Sequence, residues 1–430
     1  MILTKHIMFK IMQSNLYSRQ ATVFISILFL VFFFYYILNE KFRLWYISLA
    51  FVVAYLYTFK KNIISIKPNL TLMILCCISI FTCTLSYYLF DRLDDLPSKG
   101  YLKTYKRLID QYFYFLAFLT LPTIFYAYKF TPKIFFTTIY IALIFTGGYI
   151  TYFNIFFDFN RGQLSAFFNP IITYNIGLIS LSVLGLFYAF YDQSKKSYVL
   201  LTISLISMFS LILQGTRGAW LALPFIYFLI ISSYFKQQNK KCLFFLATLF
   251  IFIAVNIALP NSPLKNRMNA FQQDSVNIQE SDYQNSTGLR LLLWKNSIEL
   301  FKTQPVLGIS LYGVEKNNCE LQTQGKLPQC FQHQHSIYFN ELAAHGLLGI
   351  FGLLITLLLP FIYFVKNFSR SNENLKLLTL SGAAFVFYFA VCGLTEYYLF
   401  FLNTTYMYFL IVATLISFIQ LEKHQFKKKL

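Results

Sequence analysis

Long apolar runs alternate with short polar gaps along most of this chain. Twelve runs have a length typical of transmembrane helices, which need about 17 to 25 residues to cross a bilayer. They lie at 21–38, 44–59, 69–90, 112–128, 134–153, 172–191, 198–213, 219–235, 242–259, 337–365, 377–395 and 401–421. The pattern predicts an all-α polytopic membrane protein with about 12 transmembrane helices.

One polar gap is far longer than the others. It covers residues 260–336, whereas helices in a bundle are usually joined by about 2 to 8 residues. We therefore divide the chain into helices 1–9 at 1–259, a large loop at 260–336 and helices 10–12 at 337–430. A loop of this length is expected to have structure and a purpose of its own.

Composition excludes a soluble protein. Of 430 residues, 57% are hydrophobic and only 12% are charged, whereas soluble domains average about 25% charged residues. A soluble fold has no way to hide so much apolar surface. The mean hydropathy of +0.55 agrees with a chain that lies mostly in lipid.

The net charge of +19 reflects membrane topology rather than nucleic-acid binding, because the basic residues lie in short gaps between apolar runs. One side of the predicted topology holds 20 of the 36 Lys and Arg residues, in the two termini and five short gaps (60–67, 129–133, 192–196, 236–241 and 366–376). Of the remainder, 7 lie in the long loop, which the positive-inside rule does not count. Both termini are therefore expected in the cytoplasm and the long loop outside.

Within the loop, apolar residues recur with helical spacing between Ser286 and Pro305. We expect a helix on the membrane surface, with Trp294 and several leucines toward lipid. Arg290 and Lys295 would take the polar side, where a cation can meet a lipid phosphate. The alternative is a solvated pair of cations on an ordinary amphipathic helix.

Arg217 lies between two predicted helices at the outer surface, with Gly215 and Gly218 on either side. Small neighbours let a phosphate approach closely and expose the guanidinium for bidentate contact. The alternative is an arginine that reaches from a helix end to the membrane surface.

Two histidines, His333 and His335, end the long loop at the mouth of the tenth predicted helix. Histidine can accept a proton from a hydroxyl nucleophile near neutral pH, as acyl or glycosyl transfer at a membrane surface requires. From spacing alone, the alternative is a capping or interfacial histidine. Metal binding by the pair is less favoured, because the sequence offers no convincing third ligand nearby.

Several acidic residues and two cysteines face the same side. One outer loop contains Asp91, Asp94 and Asp95. We interpret it as a solvated charged loop, and a site for a hard cation is the less favoured alternative. Glu341 and Glu396 lie near outer helix ends, where either can orient His335 or bind a sugar hydroxyl. The external pair Cys319 and Cys330 can form a disulfide in an oxidising compartment.

Taken together, these motifs resemble the O-antigen ligase family over about residues 200–360. His335-Ser336 is followed after nine residues by Gly346 and after two more by Gly349, as in the family's histidine motif. Its arginine motif is similar to Arg217-Gly218-Ala219, and its loop pattern to Arg290, Trp294, Pro305 and Gly308. Two departures are Ser336 in place of the commoner Asn, and Ser310 where a second glycine often follows.

The resemblance implies transfer of a glycan from undecaprenyl diphosphate to the lipid A-core oligosaccharide, at the periplasmic face of a bacterial inner membrane. His335 would be catalytic and activate the acceptor hydroxyl, while Arg217, Arg290 and Glu341 would bind substrate. No metal, cofactor or nucleic acid is expected. O-antigen polymerase and protein O-oligosaccharyltransferase share these short motifs and remain alternatives, and a flippase of lipid-linked glycans is a more distant one.

Overall fold

The computed structural model describes residues 20–34, 45–60, 66–91, 114–156, 171–214, 217–260, 262–279, 283 and 285–429. Within these ranges the secondary structure is helical. The α-helices are α1 Gln20–Phe34, α2 Trp45–Lys60, α3 Leu70–Asp91, α4 Leu121–Ala127, α5 Pro132–Phe156, α6 Ile171–Tyr191, α7 Lys196–Ile212, α8 Leu223–Tyr234, α9 Asn239–Ala258, α10 Pro263–Gln279, α11 Ser286–Thr303, α12 Leu311–Thr323, α13 Ile337–Lys366, α14 Glu373–Cys392 and α15 Leu402–Lys429. Short 3₁₀ helices lie at Phe115–Thr120, Arg217–Ala219 and Tyr398–Phe400.

The helices confirm the prediction of an all-α polytopic membrane protein. In the described ranges, six helices are long and apolar enough to cross a membrane: α5, α6, α9, α13, α14 and α15. Six shorter apolar helical segments are formed by α1, α2, α3, the 115–127 region, α7 and α8. Each of the twelve predicted runs overlaps one of these segments.

Two helices form the centre of the bundle. The spans of α6 and α15 are buried on nearly every face, whereas α9 exposes most of its apolar residues. Aromatic packing fixes α15 against its neighbours, since Phe409 stacks on Phe115 with ring centroids 4.1 Å apart and Phe418 stacks on Phe125 at 4.9 Å. The high aromatic content therefore serves internal packing as well as lipid contact.

Several of the basic gaps meet at one end of the bundle. The Tyr191 hydroxyl donates to Asn374 Oδ1 at 2.7 Å, and Asn374 Nδ2 donates to Glu422 at 3.2 Å. Beside them, Lys376 Nζ donates to Gln237 Oε1 at 2.7 Å. The gaps after α6, after α8 and before α14 thus lie together with the carboxyl-terminal helix, and we call this region the basic end.

Three helices, α10, α11 and α12, occupy the segment expected to be a structured loop. A disulfide joins Cys319 of α12 to Cys330, a pairing that the sequence permits but does not decide. Closing a short loop in this way stabilises a fold by about 3 kcal/mol. The disulfide holds the chain that leads to His333 and His335 against α12.

The prediction that Trp294 and the leucines of α11 face lipid is wrong for Leu293 and Trp294. Leu293 is buried against Leu327 and Phe331, and the Trp294 ring stacks on Phe339 of α13 with centroids 4.9 Å apart. The loop folds over the start of α13, so this apolar stripe finds a protein partner instead of lipid. Burial of apolar area drives either arrangement, and helical periodicity alone does not distinguish them.

Helix α13 breaks at Gly346, which has φ +60° and ψ −147°. The segment 305–310 fills the break. Two amide groups after Gly346 donate to the carbonyls of Pro305 (2.9 Å) and Val306 (3.3 Å). Two carbonyls before it accept from the amides of Ile309 (3.0 Å) and Ser310 (2.9 Å). The loop is thereby bonded into the helix, and the freed backbone groups are satisfied inside the bundle as a membrane protein requires.

This junction explains two glycines of the motifs. A Cβ atom on Gly308, where φ is +71°, would collide with the backbone of Ala344, and one on Gly346 would lie 2.6 Å from the Pro305 carbonyl oxygen. Ser310 also has a positive φ of 70°, with ψ 165°, a conformation that glycine adopts far more readily. Its side chain instead accepts from the Gly313 amide at 3.0 Å and caps α12.

Candidate active site

His335 lies between the end of the loop and the first turn of α13, with a positive φ of 50°. Its Nδ1 is 3.4 Å from Oε1 of Glu396, and its side chain is 26% exposed against 4% for the glutamate. The next residue, Ser336, donates its hydroxyl to the Gly393 carbonyl oxygen at 3.2 Å. Since non-glycine residues in this conformation are strained and concentrate at functional sites, the backbone itself marks His335.

The segment 393–396 brings the predicted motifs together. Arg290 Nε donates to the carbonyl oxygen of Thr395 at 3.1 Å, next to Glu396. The 3₁₀ helix that begins at Arg217 reaches the same place, because a Cβ atom on Gly218 would collide with the Thr395 hydroxyl. The side chain of Arg217 lies outside the described atoms. The three sequence motifs therefore converge by backbone on one short connection between α14 and α15.

Glu396 is buried and ionised. Burial alone would raise its pKa, but the contact with His335 and the positive charge of Arg290 outweigh burial and lower the pKa of Glu396 to about 2. Among the described residues, Oε2 has no hydrogen-bond partner, while Oε1 accepts from the Tyr397 amide at 3.1 Å. An ionised carboxylate beside Nδ1 favours a proton on that nitrogen, which leaves Nε2 to meet a substrate.

His333 supports His335 from behind. It is 8% exposed, and its Nδ1 accepts from the backbone amide of His335 at 3.3 Å. Burial, followed by the charges of His335 and Arg290, lowers the pKa of His333 to about 4. The ring is therefore neutral at neutral pH, and it packs edge to face against His335 with centroids 4.5 Å apart.

His333, His335 and Glu396 also form a group that can hold a metal ion, because one donor atom from each lies within 4.8 Å of the others. Two imidazoles and a carboxylate are a donor set that Zn²⁺ accepts in proteins. We found no third ligand in the sequence because Glu396 comes from a different helix connection. The expectation that no metal is needed remains a prediction.

Glu341 lies deeper, on α13. Its Oε2 is 2.7 Å from Nδ1 of His345, and its Oε1 accepts from the Tyr397 hydroxyl at 2.9 Å. His345 continues the chain to α3, with Nε2 3.0 Å from the Ser86 hydroxyl. Gly349 leaves room for this arrangement, since a Cβ atom there would lie 3.1 Å from Glu341 Oε2. Both carboxylate oxygens thus have protein partners, and substrate binding by Glu341 remains a prediction.

The structure does not test the acidic loop that contains Asp91, Asp94 and Asp95. Asp94 and Asp95 lie outside the described residues, and so does the side chain of Asp91. The residues that sequence reasoning valued too little are Thr395 and Glu396. Their only sequence signal is an acidic residue placed right after a long apolar helix, at the outer end expected for it.

Comparison with known proteins agrees with the motifs. The sequence profile described as O-Antigen ligase matches residues 201–354. An uncharacterized protein of Haemophilus influenzae is 27% identical over 224 residues, which cover 50% of this chain and 56% of that protein. The chain thus matches little more than half the length of this relative.

An O-antigen ligase of Escherichia coli strain K12 is 24% identical over 306 residues, which cover 69% of this chain and 70% of that protein. The family profile begins in α7 and ends in α13, so it spans both arginine motifs, the loop helices and the histidine motif. The resemblance expected from the motifs is confirmed, because residues 201–354 match the O-antigen ligase profile and a named O-antigen ligase is similar over 69% of this chain.

Proposed function

We propose that this protein is an O-antigen ligase that transfers a glycan from undecaprenyl diphosphate to a hydroxyl of the lipid A-core oligosaccharide. The observation that carries the proposal is the pairing of His335 with the ionised Glu396, 3.4 Å away, beside the cation Arg290. A base held by a carboxylate next to a fixed positive charge suits transfer from a diphosphate to a hydroxyl.

In the proposed reaction, the acceptor oxygen attacks the anomeric carbon of the donor sugar. The hydroxyl proton passes to Nε2 of His335, and Glu396 stabilises the resulting imidazolium. The bond between the anomeric carbon and the phosphate oxygen breaks, so undecaprenyl diphosphate leaves with inversion at that carbon. The inversion is expected by family resemblance.

Arg290 and Arg217 would neutralise the diphosphate as it leaves. A guanidinium binds phosphate oxygens through a fixed fork of donors, so it can supply electrostatic stabilisation without a metal ion. The hydrogen bond from Arg290 Nε to the carbonyl oxygen of Thr395 holds one guanidinium beside Glu396. Arg217 begins the 3₁₀ helix whose Gly218 meets the same threonine.

We further propose that the protein lies in the bacterial inner membrane, with both termini cytoplasmic and the site in the periplasm. The basic gaps support this orientation, because they meet at the end of the bundle opposite His335. Helix α13 begins beside His335 and its 30 residues, about 45 Å of helix, end at the basic end. The positive-inside rule assigns that basic end to the cytoplasm.

The rival activities differ in the acceptor or the class of protein. An O-antigen polymerase would use a growing glycan as the acceptor, and a protein O-oligosaccharyltransferase would use a protein hydroxyl. A flippase would need charged residues along a path through the bundle rather than a base at one end. The named E. coli relative favours the ligase among the enzymes.

The test is expression of His335→Ala in a strain that lacks its own ligase, followed by a gel of the lipopolysaccharide. We expect the unchanged protein to give a ladder of glycan-bearing forms and the variant to give none. His424→Ala, at the basic end, is the matched control, with protein levels compared by immunoblot. A full ladder from His335→Ala would contradict the proposal that His335 activates the acceptor hydroxyl. Purified protein offered lipid A core, free glycan or peptide as the acceptor then decides among the three enzymes.

A further inference from the structure

A groove of about 790 Å³ opens beside the basic end, between α8, the second half of α13 and α14. It is separate from the candidate active site. Phe364, in its lining, lies 27 residues along α13 from Ile337, which corresponds to about 40 Å of helix. Nothing in the proposed transfer reaction uses this groove.

The walls of the groove are apolar. Its floor is the buried ring of Phe364, which packs so closely on α14 that a Cβ atom on Gly382 would lie 2.5 Å from it. Its rim is formed by exposed side chains, with Phe225 62% and Phe228 74% exposed, and Val365 opposite them. These residues belong to helices predicted to cross the membrane, so the groove opens toward lipid and fits a hydrocarbon chain.

The end of the groove nearest the basic end is cationic. Lys236 and Arg370 line it and are exposed. A third cation, Lys376, is buried there, with Nζ 2.7 Å from Gln237 Oε1 and 4.4 Å above the Tyr234 ring. The acidic Glu373 lies 3.7 Å from Lys376 and offsets one of the three charges. A net positive surface therefore lies where a lipid headgroup would sit if its chain filled the groove.

We propose that this groove binds an anionic phospholipid, with an acyl chain along Phe225, Phe228 and Phe364 and the phosphate at Lys236 and Arg370. The charge distribution identifies the ligand, because an apolar groove alone would take any lipid. Each cation near a membrane surface strengthens the binding of an anionic lipid by about fivefold, and basic pockets between helices bind acidic headgroups. This proposal is independent of the proposed transfer reaction.

The test uses full-length protein purified in detergent and titrated with phosphatidylglycerol or phosphatidylethanolamine of identical acyl chains, followed by native mass spectrometry. Because two cations face the phosphate, we expect phosphatidylglycerol to bind about thirtyfold more tightly. Lys236→Gln combined with Arg370→Gln should remove the preference. Lys195→Gln combined with Lys196→Gln removes the same charge from exposed positions outside the groove lining and should retain it.

A second variant tests the acyl chain without changing charge. Ser232→Trp places a large ring in the lining and should weaken binding of both lipids. Equal binding of the two lipids by the unchanged protein would overturn the proposal, and so would a preference that survives Lys236→Gln with Arg370→Gln. If inorganic phosphate at equal concentration displaced phosphatidylglycerol, the site would bind a free anion and the lipid assignment would fail.

Discussion

Nδ1 of His335 lies 3.4 Å from Oε1 of Glu396, although His335 precedes α13 in the chain and Glu396 follows α14. In this contact Nδ1 of the imidazole faces the carboxylate, and Nε2 lies on the other side of the ring. His335 also has a positive φ of 50°, and the anchoring of Ser336 to Gly393 holds that conformation. Strain at a residue that the surroundings hold in place is typical of sites that act on a substrate.

The first prediction concerns Glu396→Gln. The amide has the size of the carboxylate but no charge, so it no longer stabilises the imidazolium that forms when His335 takes the proton. We expect turnover with a lipid-linked glycan donor to fall by about 100-fold or more, within the range that proton-transfer groups contribute. Glu320→Gln, an exposed acid on α12, is the control and should retain full turnover. Unchanged turnover of Glu396→Gln would contradict the proposed pairing.

The second prediction concerns Arg290→Lys. The change keeps a positive charge but removes the Nε donor that bonds to Thr395 at 3.1 Å, together with the guanidinium fork. If Arg290 binds the diphosphate, the KM for the donor should rise at least about tenfold, the cost of one charge-assisted bond. Lys295→Gln, one turn away on α11, should leave that KM unchanged. An increase in both variants would indicate a general surface effect instead.

Sequence patterns were sufficient to predict the helices and the position of His335 at the end of the long loop. Apolar run length is a local property, so each predicted run overlaps an apolar helical segment. The packing partner of an amphipathic face is not local, and for this reason the lipid-facing side expected for Trp294 was wrong.

The contact between Glu396 and His335 was also not predicted from the sequence. Sequence analysis treated Glu341 and Glu396 alike because both lie near outer helix ends. The fold separates them: Glu396 contacts His335, whereas Glu341 bonds to His345 and Tyr397 below the site. The hydrogen bonds between segment 305–310 and the break at Gly346 could not be predicted from the sequence either, since backbone pairing between distant segments leaves no periodic pattern.

The third prediction is a pH dependence of stability that comes from His333. Its pKa is about 4 in the fold against an ordinary value of 6.5, so the unfolded chain binds more protons between these values. Stability is therefore fully present above pH 6.5 and falls as the pH drops toward 4, by up to about 3 kcal/mol. Thermal unfolding in detergent across this range measures it.

The control is His333→Asn, whose side-chain oxygen can still accept from the His335 amide but does not titrate. We expect its melting temperature to change less than that of the unchanged protein between pH 6.5 and 4. Below that range both proteins should lose stability, because the pKa of Glu396 is lowered to about 2 and its contribution is lost as it becomes protonated. Parallel curves above pH 4 would assign the loss to other groups.

The fourth prediction tests whether His333, His335 and Glu396 work with a metal ion. We expect no more than a twofold change in turnover when purified protein is dialysed against EDTA, because the two arginines are proposed to neutralise the diphosphate. Metal content is measured on the same sample before and after dialysis. A loss that added Zn²⁺ or Mg²⁺ restores would replace the arginine mechanism with a metal site at these three residues.

The last prediction concerns Ser310, which stands where the family often has a glycine. Its φ of 70° and ψ of 165° cost a non-glycine residue about 1 to 3 kcal/mol, while its hydroxyl caps α12 through the Gly313 amide. Ser310→Gly removes the strain and loses only a few tenths of a kcal/mol of capping, but the unfolded chain gains entropy worth about 0.4 to 1 kcal/mol.

The net expectation is that Ser310→Gly raises the free energy of unfolding by about 1 kcal/mol. Ser310→Ala keeps the strain and loses the cap, so it should lower that free energy by about 1 kcal/mol. Because the two changes differ by one methyl group but are expected to act in opposite directions, thermal unfolding of the pair in one detergent separates strain from capping. If both variants were less stable than the unchanged protein, the hydroxyl cap would outweigh the strain and the serine would be the better residue at this junction.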